Sequence, residues 1–337
     1  MRATALFDLL TAMIPDRLPL LIKGAPGTGK TDIVTWAASA SKAELIVMHP
    51  VVSDPTDAKG LPCHVKIGNK DRAVFLPYGE LLALMEAEEL TVCFLDDLGQ
   101  AAAVVQAAFM HLLLAREING KKIADCVTFV GATNRREDKA AVTGILEPVK
   151  SRFCSIVELE ANLEDWCEWA LKHDVPPVLV AFNRFRKDLF ASGGPATNDI
   201  VNRPSPRTIT NLGKLYTCLK KKGIDSLEGI QGCAGSGYGS EFYGFVKVWE
   251  SLPSFAGIVA DPDGAKIPSE MSALYAIATG LAAHITPKNA GPIIRYLCRL
   301  QEEYCVLGVL DARRHCPECQ ETKEFINWAT THQKYLS

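Results

Sequence analysis

Leu18-Pro-Leu-Leu-Ile-Lys23 is a short apolar run, followed at once by Gly24-Ala25-Pro26-Gly27-Thr28-Gly29-Lys30-Thr31. The eight residues fit G-x-x-x-x-G-K-[ST]. Glycines at these positions let the backbone wrap so that several N–H groups face the oxygens of a phosphate. Lys30 brings a positive charge to the outer phosphates, and Thr31 offers a hydroxyl to Mg²⁺. A helix that opens near Lys30 adds the positive end of its dipole. At a glycine frequency of about 7%, a chance match in a chain this long is on the order of one in a hundred. The dinucleotide fingerprint G-x-G-x-x-G is not matched.

Outward from this stretch the first half alternates two periodicities. Strand-like runs cover residues 18–23, 44–49, 90–95, 126–131 and 153–159, while 30–40 and the Ala-rich 100–116 read as helices. Five strands that are apolar on both faces and alternate with helices predict an α/β fold with a parallel, doubly covered sheet. One of them, Thr91-Val-Cys-Phe-Leu-Asp96-Asp97, ends in two carboxylates. It buries its body and delivers charge to the top of the sheet. There Asp96 is placed for the Mg²⁺ shell and Asp97 for an attacking water. As an alternative, Asp97 caps the helix over 99–116.

From residue 163 the pattern is helical, over 163–173, 177–190, 207–221 and 241–251, then 271–285, 292–306 and 323–335. Loops rich in Gly, Ser, Pro or Asn are expected at 191–205 and 232–240. The division this suggests is a nucleotide-binding domain over 1–160, a helical lid over 161–252 and a helical C-terminal extension over 253–337.

Composition sets the outer bounds. The chain has 337 residues, 48% hydrophobic and 22% charged, as in an ordinary globular protein of two or three units. A net charge of −3 gives no global basic field for nucleic acid. Eleven cysteines, scattered through apolar runs, read as reduced thiols of a cytoplasmic protein. Asp8 interrupts the apolar start, which argues against a signal peptide, and no run reaches the ~18 apolar residues of a membrane helix.

At this point the sequence resembles the AAA+ superfamily and, within it, the MoxR-type ATPases, over about residues 18–215. The resemblance implies an αβα sandwich and ATP with Mg²⁺ as ligands. It implies that Gly24, Ala25, Pro26, Gly27, Thr28, Gly29, Lys30, Thr31 and Asp96 bind them, with Thr31 and Asp96 on the metal. Val130-Gly-Ala-Thr-Asn134 looks like the sensor-1 strand, whose Asn134 positions water near the γ-phosphate. Gly144-Ile-Leu-Glu-Pro-Val-Lys-Ser-Arg152-Phe looks like the segment that carries an arginine finger toward a neighbouring subunit. Arg203-Pro-Ser-Pro-Arg207-Thr looks like the start of the sensor-2 helix, with Arg207 on the phosphates. Each has a plainer rival: a turn-forming Asn134, a surface Arg152, an Arg207 paired on its own helix. Residues 54–75 resemble the MoxR insert with its hairpin, 116–123 resemble the hairpin before sensor 1, and 232–253 are similar to MoxR-type ATPases of bacterial viruses. The family usually has Glu where Asp97 stands, which puts the hydrolysis rate in question and leaves binding untouched.

The function this implies is an ATP-hydrolysing ring motor, a homo-hexamer that remodels a protein client beside a partner with a von Willebrand factor A domain. Two other readings are a nucleic-acid motor or loader in viral replication and an ATP-gated scaffold that hydrolyses slowly. Lys66, Lys70, Arg72, Lys121 and Lys122 sit on the two hairpins without interleaved aromatics, which argues against nucleic acid. Cys316-Pro-Glu-Cys319 with His315 forms one arm of a zinc site, but a closed site needs four ligands. Cys298 and Cys305, the nearest spare thiols, read as core of one apolar helix.

Overall fold

The computed structural model describes residues 1–138, 144–192 and 199–335. The chain divides into two compact units, the first over Met1–Asn162 and the second from Leu163 onward.

The first unit contains α1 (Ala3–Met13), β1 (Leu20–Gly24), α2 (Lys30–Ala40), β2 (Glu44–Met48), α3 (Pro55–Lys59), β3 (Leu61–Ile67), β4 (Lys70–Leu76) and α4 (Gly79–Glu86). It continues with β5 (Thr91–Leu95), α5 (Ala103–Ala115), β6 (Glu117–Ile118), β7 (Lys121–Lys122), β8 (Val127–Thr133), α6 (Glu147–Lys150) and β9 (Ser155–Leu159). Five strands form one sheet in the order β2-β5-β8-β1-β9, every pair parallel. The period of two sorts their side chains onto two faces. Leu20, Ile22, Val92, Phe94 and Val130 pack on one side with Leu6 and Leu10 of α1 and Ile33 and Val34 of α2. Leu21, Cys93, Leu95 and Phe129 face the other, against Leu81 and Leu84 of α4 and Phe109 and Leu112 of α5. Burial pushes the Cys93 thiol far above its ordinary range, as expected of a core cysteine.

Two antiparallel ribbons stand off this sandwich. β3 and β4 pair from Leu61↔Leu76 to Ile67↔Lys70 around Gly68-Asn69. Gly60 enters the ribbon at φ 89°, where a Cβ would lie 2.6 Å from the Leu76 carbonyl oxygen, so only glycine fits. β6 and β7 turn at Asn119-Gly120, both at positive φ, the pattern that matches strand twist in a two-residue hairpin.

The second unit is helical: α7 (Leu163–Leu171), α8 (Pro177–Phe185), α9 (Pro206–Lys222), α10 (Leu227–Ala234), α11 (Ser236–Glu250), α12 (Phe255–Ala260), α13 (Met271–Ala283), α14 (Ala290–Leu297), α15 (Glu302–His315) and α16 (Lys323–Thr331). The position 252/253 falls inside this unit. Arg184 of α8 and Asp311 of α15, each side chain 1% exposed, make a two-pronged ion pair across it, with Nη2 donating to Oδ1 at 3.0 Å.

Three local expectations are corrected. The loop expected at 232–240 is the end of α10 and the start of α11, broken only at Gly235 (φ 93°). One of its glycines serves packing: a Cβ on Gly239 would lie 2.5 Å from the Gln231 Cα, so the two helices meet backbone to backbone there, while Tyr238 and Phe242 are buried. The helix expected over 100–116 starts at Ala103, after a separate 3₁₀ turn at Leu98–Gln100. The helix expected over 292–306 is two, with Cys298 closing α14 and Cys305 on α15.

Candidate nucleotide site

Parallel strands send their carboxyl ends to one edge, and here β5, β8 and β1 are adjacent. Register places Lys23 beside Thr133 and Leu95 beside Gly131. The loop after β1, the acids after β5 and Asn134 after β8 therefore meet at one crest.

The loop has the backbone its glycines predict. Gly27 and Gly29 lie at φ 79° and 93°, conformations that side chains with a Cβ rarely adopt. Gly24 is required for another reason: a Cβ there would come within 2.8 Å of the Leu159 carbonyl oxygen on β9. Gly29 is the N-cap of α2 and offers no side-chain acceptor, so the first amides of that helix stay turned to the crest. Thr28 Oγ1 donates to the Ala25 carbonyl at 2.9 Å and steadies the turn.

Lys30 is buried, and its Nζ donates to the carbonyls of Gly24 (2.9 Å) and Ala25 (3.1 Å) and to Asn134 Oδ1 (2.8 Å). Thr31 Oγ1 donates to Asp96 Oδ2 at 2.8 Å. Asp96 accepts the Asp97 backbone N–H at 3.0 Å on its other oxygen. Asp97 itself sits at φ 56°, in the left-handed region. Its Oδ1 accepts from Gln100 Nε2 at 2.5 Å and from Asn134 Nδ2 at 3.4 Å. Its side chain makes no cap bond to a helix, and the N-cap of α5 is Ala102, without a side-chain bond, so the alternative of Asp97 as the cap of that helix is set aside.

A second charged layer borders the crest. Arg135, next to Asn134, donates through Nε (3.0 Å) and Nη2 (2.8 Å) to Asp138. Burial acts to raise the Asp138 carboxyl, yet the Arg135 guanidinium, with Lys30 behind it, holds it below the usual carboxylate range. Lys23 lies 2.7 Å from Glu158 and lowers that carboxyl in the same way.

The structure thus brings together Gly24 to Thr31, Asp96, Asp97 and Asn134. Arg152 makes no hydrogen bond to any of these: it follows α6, is half-buried, and its Nε is buried with no hydrogen-bond partner among the described residues. Arg207 belongs to the second unit and is exposed on the first turn of α9, behind a Ser205–Thr208 capping box with Pro206 at the first position. Two residues escaped the sequence reading. One is Gln100. The other is Gln106, 1% exposed, whose amide donates to the carbonyls of Ala101 (3.0 Å) and Gly144 (2.8 Å) and whose Oε1 accepts the Leu146 N–H at 3.1 Å. It anchors the segment that leads to Arg152. The zinc candidate gains no further ligands: Cys316 Sγ contacts Glu318 at 3.3 Å, and no cluster of three or more metal-ligating side chains occurs among the described residues.

Residues 19–153 match the family profile described as an AAA domain of the dynein-related subfamily. No curated protein sequence matches the chain. Solved structures that are similar include the Thermotoga maritima RuvB Holliday junction branch migration motor, with 18% identity over 83% of this chain and 80% of that one, at a TM-score of 0.41. Brucella abortus NtrX in complex with ADP is 14% identical over 98% of this chain and 67% of its own, at a TM-score of 0.42. The profile match spans the strand, loop and acidic pair whose side chains converge here, and it makes residues 19–153 similar to an AAA domain.

Proposed function

We propose that the protein is an ATP-hydrolysing ring motor of the MoxR type that remodels a protein client. The observation that carries this is the convergence of Lys30, the Thr31–Asp96 pair, Asp97 and Asn134 on one glycine-lined crest. The loop amides and Lys30 hold the β- and γ-phosphates. Thr31 and Asp96, both oxygen donors, would hold Mg²⁺, which when bound neutralises charge developing on the phosphates. Asp97 orients a water in line with the γ-phosphate, and Asn134 fixes that water from β8. Arg152, with an unmatched Nε, reaches the nucleotide of a neighbouring copy in a homo-hexamer, and Arg207, exposed on the first turn of α9, is the further candidate for a phosphate contact. The apolar base of the β3–β4 ribbon, with Leu61 52% and Phe75 41% exposed, suits a protein surface better than a phosphate backbone. A partner with a von Willebrand factor A domain would select the client.

Steady-state phosphate release tests this. Wild type should hydrolyse Mg-ATP, and Asp97→Asn should keep ATP binding while losing on the order of 10²-fold in turnover. Equal turnover of Asp97→Asn and wild type would move the water to other groups. Strong stimulation of wild type by DNA would replace the protein client with nucleic acid.

A further inference from the structure

The acidic pair at the end of β5 is not used symmetrically. Asp96 turns toward Thr31, while Asp97 turns away from it, into the left-handed backbone region, and meets Gln100. Asp tolerates that region better than most residues with a Cβ, but it rarely occupies it unless surrounding groups fix it there. Those groups are present. Gln100 N–H closes the 3₁₀ turn onto the Asp97 carbonyl at 3.0 Å. Gly99 lies so close beneath β8 that a Cβ would approach Thr133 Oγ1 to 2.1 Å, so the turn cannot shift toward the strand. From this seat Gln100 Nε2 donates to Asp97 Oδ1 at 2.5 Å, against 3.4 Å for Asn134. Reversing the amide would set its oxygen against the carboxylate, so the donor end faces Asp97. The other end, Gln100 Oε1, is buried with no hydrogen-bond partner among the described residues. A buried acceptor left unmet is uncommon and marks a side chain held for something other than its own satisfaction.

We propose that Gln100 is a positioning residue for hydrolysis: its amide clamps Oδ1 of Asp97 and leaves Oδ2 as the oxygen that receives the attacking water. Aspartate is one methylene shorter than the glutamate the family usually has. The left-handed backbone and the Gln100 clamp together give that shorter arm a fixed aim. This rests on the proposed ATPase reading. Loss of the clamp frees the carboxylate to rotate, which lowers the fraction of turnovers with an aligned water and leaves nucleotide contacts as they are.

The test is a kinetic double-mutant cycle on the full chain with Mg-ATP, with thermal unfolding as a check on folding. Gln100→Leu keeps the size and removes the amide. It should lower kcat at least tenfold, leave KM within twofold, and add nothing when combined with Asp97→Asn. In the Gln100→Leu background, Asp97→Glu should restore turnover, because the longer arm reaches the water without the clamp. Gln100→Ala gives the same readout should Gln100→Leu fold poorly. Wild-type kcat in both Gln100 variants, or losses that multiply with Asp97→Asn, would overturn the proposal while the ATPase reading stands. A wild type that binds ATP and releases no phosphate would overturn the ATPase reading itself, and the proposal with it.

Discussion

The Lys30 ammonium donates to two backbone carbonyls and to the Asn134 amide oxygen, three neutral acceptors. An anionic phosphate oxygen forms a shorter and stronger bond with an ammonium than these can. On the proposed reading, an arriving nucleotide would take Lys30 from Asn134. Asn134 also touches Asp97, so Lys30 of the loop and the Asp97 carboxylate are linked through one side chain. Glycine serves two purposes in the same loop. Gly27 and Gly29 supply positive φ, while Gly24 supplies clearance beneath β9. The motif spacing made both legible in advance, although only the first could be given its physical reason from sequence.

At the scale of elements, α5 connects the acidic crest to the segment carrying Arg152. Gln106 makes that connection with three hydrogen bonds from a buried site. Gln106→Ala leaves the Gly144 carbonyl and the Leu146 N–H without their partner and should cost about 1–3 kcal/mol in urea unfolding. Turnover should fall with it, while ATP binding persists. An unchanged unfolding midpoint would show that water replaces the amide and that the anchor is dispensable. Neither glutamine was read from the sequence, because a polar residue in an Ala-rich helix looks like its solvated face. The available signal was phase: Gln106 lies between Val105 and Phe109 on the buried side. The five strands were legible because their apolar runs are continuous, and their ends shifted by only one or two residues. The break before α5 was not, since it is set by the seat of Gly99 under Thr133, a contact distant in sequence. The misread at 232–240 has a similar cause. Glycine and serine argued for a loop, whereas Gly235 only breaks the helix and Gly239 is the contact point where α11 packs on α10.

At the scale of the molecule, the chain forms two units that meet in sequence at Asn162–Leu163, and each has its own core. The second unit depends on the buried Arg184–Asp311 pair. Removing one partner leaves a buried charge, so Arg184→Ala should destabilise this unit by about 3–5 kcal/mol, whereas replacing both by apolar residues should be neutral or better. Tryptophan emission reports mainly on this unit, because four of the five tryptophans, Trp166, Trp169, Trp249 and Trp328, lie within it, and Trp36→Phe removes the contribution of the first unit. Equal unfolding midpoints for wild type and Arg184→Ala would refute the assignment. The central claim, that the first unit takes ATP on the 24–31 loop, is tested most directly by calorimetric titration of ATP with Mg²⁺ into wild type and Lys30→Ala. Saturable binding by wild type, with affinity lowered severely in Lys30→Ala, is the predicted result. Equal affinity in the two proteins would contradict it.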